Sequence, residues 1–104
     1  MSKEKIFVAG HKGMVGSAIC RRLRQDAYYE ILTAPRDELD LLSQSAVEDF
    51  LKKEKPDVVV QAAAKVGGIY ANNEYPAQFI FENLQIQNNI IHSSHLADVQ
   101  RLCF

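Results

Sequence analysis

The 104-residue sequence has no apolar run near the roughly 18 residues that a membrane span requires. Its first residues, M-S-K-E-K, lack the apolar segment of a secretory leader. These absences exclude a spanning helix and set a cytoplasmic compartment as the expectation. The net charge is only −1, so no basic excess points to nucleic acid or to an anionic membrane. Just two cysteines occur, Cys20 and Cys103. Two cannot make a metal centre at this separation, and both read as small buried groups, one in a helix and one in a strand. Repeats and low-complexity stretches are missing too. With 47% apolar and 24% charged residues, what remains is the composition of one small globular domain.

Against that plain background, one segment carries chemistry. Ile6-Phe7-Val8-Ala9 reads as a strand, and G-H-K-G-M-V-G follows from Gly10 to Gly16. A strand, a glycine-rich turn and a helix in this order suggest a dinucleotide-binding turn, the alternative being an ordinary βα turn with spare glycines. Gly10 permits the sharp exit from the strand. Gly13 allows a pyrophosphate to approach the backbone. Gly16 lets the next helix pack closely on the strand. That helix, expected from Met14 to about Asp26, would aim its free N–H groups at the phosphates. Its apolar stripe is expected at Val15, Ile19 and Leu23, with Ala18 beside them.

Glu30 to Ala34 reads as a second strand, ended by Pro35. Ser45 and Glu48 match a capping box, and Val47, Phe50 and Leu51 give the helix they open its apolar side. Lys55-Pro56-Asp57 closes that helix. Val58 to Ala62 is a third strand, apolar enough to be buried on both faces. Pro76 opens a long helix reaching about Asp98. Phe79, Ile86, Ile90 and Ala97 form one stripe of it, and Ile80, Leu84 and Ile91 a second. Asn83, Gln87 and Ser94 lie between the stripes, either bonded to nearby backbone or water or, for Asn83, facing the ligand. Leu102 to Phe104 begins a fourth strand. Strands and helices alternating in this way give an α/β fold. The expected class is the N-terminal part of a Rossmann-type doubly wound parallel sheet, ending at the start of the fourth strand.

Cofactor choice is read at the end of the second strand, where an acidic residue holds the ribose of NAD. Arg36 stands there instead, with a guanidinium fork suited to a 2′-phosphate. This favours NADP. Lys12 adds charge, as would protonated His11. Asp37 or Glu38 would instead serve a ribose hydroxyl in an NAD site, and Asp40-Leu41 is placed to meet adenine. His92 and His95 lie one helical turn apart but lack the further ligands of a zinc site. They read as surface or packing residues, and no metal is expected.

Longer segments carry a resemblance: A-G-H-K-G-M-V-G-S-A-I from Ala9, R-D-E-L-D-L from Arg36, A-A-A-K-V-G-G-I from Ala62, A-N-N-E-Y-P-A from Ala71 and N-N-I-I-H from Asn88. With them the whole chain resembles the N-terminal part of the extended short-chain dehydrogenase/reductase family, most narrowly its branch that epimerises and reduces GDP-4-keto-6-deoxymannose. The resemblance implies NADP(H) held by Gly10, His11, Lys12, Gly13, Met14, Val15 and Gly16 on one side. It implies Arg36, Asp37, Glu38, Leu39, Asp40 and Leu41 on the other. Ala63, Ala64 and Lys65 would lie beside the cofactor. A GDP-sugar substrate belongs to a full-length relative, and a family-like homodimer through the long helix is compatible with the pattern.

The family's catalytic serine and Tyr-x-x-x-Lys pair have no counterpart here. Four residues after Tyr28, Tyr29, Tyr70 and Tyr75 stand Leu32, Thr33, Glu74 and Phe79. The expectation is therefore an incomplete cofactor-binding segment over residues 1–104 with the substrate domain absent, inactive alone. A free-standing nucleotide-binding or regulatory module that pairs with a full-length enzyme is the alternative. A remnant that folds poorly is a third.

Overall fold

The computed structural model describes residues 3–63 and 76–103. The elements run β1 (Glu4–Ala9), α1 (Met14–Leu23), β2 (Tyr29–Leu32), α2 (Gln44–Glu54), β3 (Val58–Gln61), α3 (Pro76–Leu96) and β4 (Arg101–Cys103). All strand pairs are parallel, in the order β2-β1-β3-β4. The register sets Ile6 opposite Ile31 on one side and opposite Val58 on the other. From β1 the chain first moves outward to β2 and then returns across β1 to place β3. This reversal is a topological switch point, and a crevice opens there at the carboxyl ends of the strands.

β1 is the middle of the structure. Ile6, Phe7, Val8 and Ala9 are all buried, since helices cover both faces. Phe7 and Ala9 pack with Val59, Val47, Leu51, Ile86 and Ile90, which places α2 and α3 on one face. Ile6 and Val8 pack with Val58 and Cys20, with Ile19 and Leu23 alongside, which places α1 on the other. The alternation of strand side chains thus divides one apolar run between two cores.

Several local expectations are corrected. α1 is shorter than expected and buries Gly16 and Cys20, with Ile19 and Leu23 packed beside them. Val15 and Ala18 are exposed. The stripe therefore starts at Gly16, one residue along, and a glycine gives no hydrophobic signal from which to read it. α2 is capped by Ser43, not Ser45: the Ser43 side chain accepts a hydrogen bond from the Ala46 N–H at 3.3 Å. Glu48 has no place in a capping box and instead accepts from Gln44 Nε2 at 3.2 Å. Lys55 closes α2 in the left-handed conformation, φ 51°, as the Lys-Pro-Asp turn implied. β2 and β3 end earlier than expected, and β4 begins one residue sooner. Cys20 is buried, but Cys103 is exposed, because β4 lies at the edge of the described sheet with only β3 beside it.

On α3, Ile86 and Ile90 enter the core while Ile80, Leu84 and Ile91 stay exposed. The two expected stripes therefore divide between core and surface, and the Phe79 side chain lies outside the description. Ser94 is buried. Asn83 and Gln87 are half-buried. Among the described residues, no helix is long and apolar enough to cross a membrane.

The capping geometry separates two serines that look equivalent in sequence. Ser43→Ala should cost about 1 kcal/mol of stability. Ser45→Ala should be neutral within about 0.5 kcal/mol. Chemical denaturation of the two variants measures the difference, and equal losses would place the cap elsewhere.

Candidate cofactor site

At the switch point lies an open cavity of about 690 Å³. The glycine turn forms one side, from Gly10 through Val15. The chain after β2 forms the opposite side, with Ala34, Arg36, Leu39, Asp40, Leu41 and Leu42. Ala62 and Ala63 at the end of β3, and Ile86 of α3, complete the wall.

The three glycines of the turn differ in what fixes them. Gly10 has φ +85°, a conformation that side chains rarely adopt, and a Cβ there would lie 2.6 Å from the Ala63 backbone. A Cβ on Gly16 would lie 1.9 Å from the Gly10 carbonyl oxygen. Its partner is therefore the turn itself rather than the body of the strand. Both glycines are required by the protein's own packing. Gly13 is not. Its φ of −73° and ψ of 170° suit any residue, and a Cβ there would touch only the Gly10 oxygen, at an ordinary 3.5 Å. Gly13 keeps space open toward the cavity that the folded chain does not itself fill.

The same turn starts α1. The Gly13 N–H closes it on the Gly10 oxygen at 3.1 Å, and the first helical bond runs from the Ser17 N–H to the Gly13 oxygen at 2.8 Å. The N–H groups of Met14, Val15 and Gly16 therefore have no acceptor within the helix. No side chain caps this end, and no acidic residue occupies its first turn. The positive end of the helix dipole stands bare at the cavity. α2, by contrast, has its Ser43 cap. A helix start left bare beside an open wall favours an anion.

On the opposite side, Arg36 is exposed and lines the cavity. It makes no ion pair with any described carboxylate, so its fork is available to a ligand. Asp37 and Glu38 are exposed but stand off the wall, and so does buried Gly16. Asp40 is on the wall, and one of its carboxylate oxygens accepts the Leu42 N–H at 3.0 Å. Ala63 is held by Gln61, whose side-chain amide donates to the Ala63 oxygen at 2.9 Å and accepts from its N–H at 3.3 Å. Ala64 and Lys65 lie outside the described residues.

Thus Gly10, His11, Lys12, Gly13, Met14, Val15, Arg36, Leu39, Asp40, Leu41 and Ala63, all named from the sequence, line one space. Ala34, Leu42, Ala62 and Ile86 also line it and were not expected as site residues. Nothing in the sequence separates Ile86 from its neighbours on the core stripe, and Ala62 reads simply as the last residue of a strand. Asn83 is not on the wall. His92 and His95 are exposed, with His92 Nε2 4.0 Å from Glu48 Oε1.

The sequence model of the NAD dependent epimerase/dehydratase family matches residues 6–104. The chain belongs to this family. Within it, the chain is 56% identical to GDP-L-fucose synthase of Escherichia coli K12 over 104 residues, all of this chain and 32% of that protein. It is 55% identical to GDP-L-fucose synthase 1 of Arabidopsis thaliana over 100 residues, 96% of this chain and 31% of that one. A solved structure, the GDP-mannoheptose C4 reductase MlghC from Campylobacter jejuni with NADP bound, matches with a TM-score of 0.90 and 43% identity. That match covers 98% of this chain and 32% of the reductase. The chain spans about a third of the length of these two curated relatives.

The glycine geometry predicts opposite outcomes for neighbouring substitutions. Gly16→Ala should destabilise by about 1–3 kcal/mol or more, because backbone must move to admit the methyl group. Gly13→Ser should leave stability within about 0.5 kcal/mol, since serine is a good N-cap and the space is open. Thermal melts of both variants check this. A stable Gly16→Ala protein would contradict the close approach.

Proposed function

We propose that this chain is the NADP(H)-binding N-terminal part of a GDP-sugar epimerase/reductase of the GDP-L-fucose synthase type. The observation that carries the reading is Gly13, a glycine that the fold itself does not require, set at the bare start of α1 beside an open cavity. The wall fits such a cofactor. The N–H groups of Met14 and Val15 face the place for a pyrophosphate, Arg36 offers its fork to a 2′-phosphate, and Asp40 with Leu41 borders the place for adenine. NADPH, when bound, supplies the hydride that reduces a keto sugar. The chain's own contribution is to hold and orient it.

The GDP-sugar part of the reading rests on the likeness to GDP-L-fucose synthases. Proton donation to a keto oxygen requires an acid within hydrogen-bond reach. None of the four tyrosines has a lysine four residues on. These residues alone should therefore bind cofactor without turning over a keto sugar nucleotide, and NADPH oxidation in that substrate's presence should stay at background.

Titration with both cofactors tests the binding. The chain should prefer NADP(H) to NAD(H). Arg36→Ala should weaken NADP(H) by about 1.5–3 kcal/mol, the range for hydrogen bonds to charged groups, and leave NAD(H) unchanged. Gly13→Val should remove binding of both from a folded protein, because its branched side chain stands where the pyrophosphate must approach. Equal affinities in the parent chain, or unchanged binding in folded Gly13→Val, would overturn the reading.

A further inference from the structure

The wall opposite the glycine turn is not held by strand pairing. After β2 ends at Leu32, the chain runs through a helical turn, in which the Glu38 and Leu39 N–H groups both donate to the Pro35 oxygen, at 3.0 and 2.9 Å. It then makes a second turn, where the Leu42 N–H donates to Asp40 Oδ1 and the Ser43 N–H to the Asp40 oxygen, each at 3.0 Å. These bonds are local. They shape the segment but do not locate it relative to the rest of the fold.

Leu39 is buried in the core, with Leu41 and Leu42 packed against it, and one hydrogen bond from another element fixes the backbone of the segment. Asn89 of α3 is buried, 3% exposed, and its Nδ2 donates to the Leu41 oxygen at 2.9 Å, across 48 positions of sequence. The orientation of this amide is itself fixed. Gln85, one turn earlier on α3, donates from Nε2 to Asn89 Oδ1 at 2.8 Å. With its oxygen satisfied by Gln85, the Asn89 amide must present its nitrogen to Leu41. Both ends of a buried amide are thus paired, as burial requires.

Leu41 sits between Asp40 and Leu42 on the cavity wall. In a doubly wound fold the residue just past the second strand meets the ribose of the adenosine half. Arg36, four residues past the end of β2, lines the cavity here, and on the cofactor reading the wall beyond it borders adenosine. We propose that Asn89, oriented by Gln85, is a positioning residue that fixes the Asp40–Leu42 wall against which the adenosine half of the cofactor seats. This role rests on the cofactor reading above. It differs from that of Arg36, because adenosine is common to NADP(H) and NAD(H).

Two variants and two measurements test it. Asn89→Asp keeps the shape but replaces the donor with an acceptor facing the Leu41 oxygen. Gln85→Ala removes only the orienting donor at a half-buried position, and carries the test if Asn89→Asp fails to fold. Hydrogen exchange without ligand should quicken at the Leu42 and Ser43 amides in both. Titrations with NADPH, NADH and ADP-ribose should all weaken by one common factor, about tenfold for Asn89→Asp, as expected for loss of one buried hydrogen bond. Gln85→Ala should show a smaller loss in the same direction. The ratio of NADPH to NADH affinity should not change, and a general loss of stability in a protein that remains folded would not produce this pattern. Quicker exchange with undiminished affinity would overturn the proposal, as would unchanged exchange, or a loss confined to NADPH. A parent chain that binds none of the three ligands would overturn the cofactor reading and this role together, while the exchange data would still report whether Asn89 holds the loop.

Discussion

Three backbone segments meet at the end of β1 with no room for a side chain between them. The Gly10 oxygen lies where a Cβ on Gly16 would stand, and the Ala63 backbone lies where a Cβ on Gly10 would stand. This contact determines where α1 begins and how near its first turn comes to the end of β3. The side of the cavity formed by the glycine turn depends on it. Were α1 held farther off, its first N–H groups would open to bulk water instead of bordering a recess shared with the chain beyond β2. The positive φ at Gly10 is the conformation so sharp a turn requires, and it restricts the position to glycine.

Around that contact the fold leaves polar groups unspent on one side and secures them on the other. α1 starts without a side-chain cap or an acidic residue, although α2, in the same domain, starts with a serine cap. Arg36 likewise faces the recess without a described partner. The far wall shows the opposite pattern, since the Leu41 oxygen is engaged by a buried amide that is itself engaged by Gln85. Unpaired donors beside a rigid recess suit a ligand that brings its own acceptors. A firmly held wall lowers the ordering that such a ligand must impose on binding.

How much of this was legible in the sequence depends on the kind of signal. The glycine turn was readable because backbone crowding restricts the residue type at Gly10 and Gly16, although Gly16 packs on the turn and not on the strand. Strand and helix order was readable from apolar runs and proline positions. The start of the α1 stripe was not, because Gly16 is buried without being hydrophobic and Val15 is hydrophobic without being buried. Ser43 and Ser45 differ only in which one precedes the helix, and helix ends are where sequence patterns are least sharp. Cys103 looked buried because a strand residue in a parallel sheet usually is, but burial depends on neighbouring strands and not on the residue itself. Asn89 was visible only as part of the N-N-I-I-H segment that carries the resemblance. Its acceptor lies 48 residues away, and no local pattern announces a partner at that distance.

The central claim is that the glycine turn and the Arg36–Leu42 segment together form one cofactor site. Backbone amide chemical-shift mapping during titration with NADPH tests it most directly. A single site there should give concerted shifts at Gly13, Met14 and Val15, at Arg36 and Asp40 through Leu42, and at Ala62 and Ala63, with amides at the opposite end of the sheet, such as Lys5 and Asp57, unmoved. Shifts confined to one of the two segments, or perturbation centred away from the cavity, would contradict it.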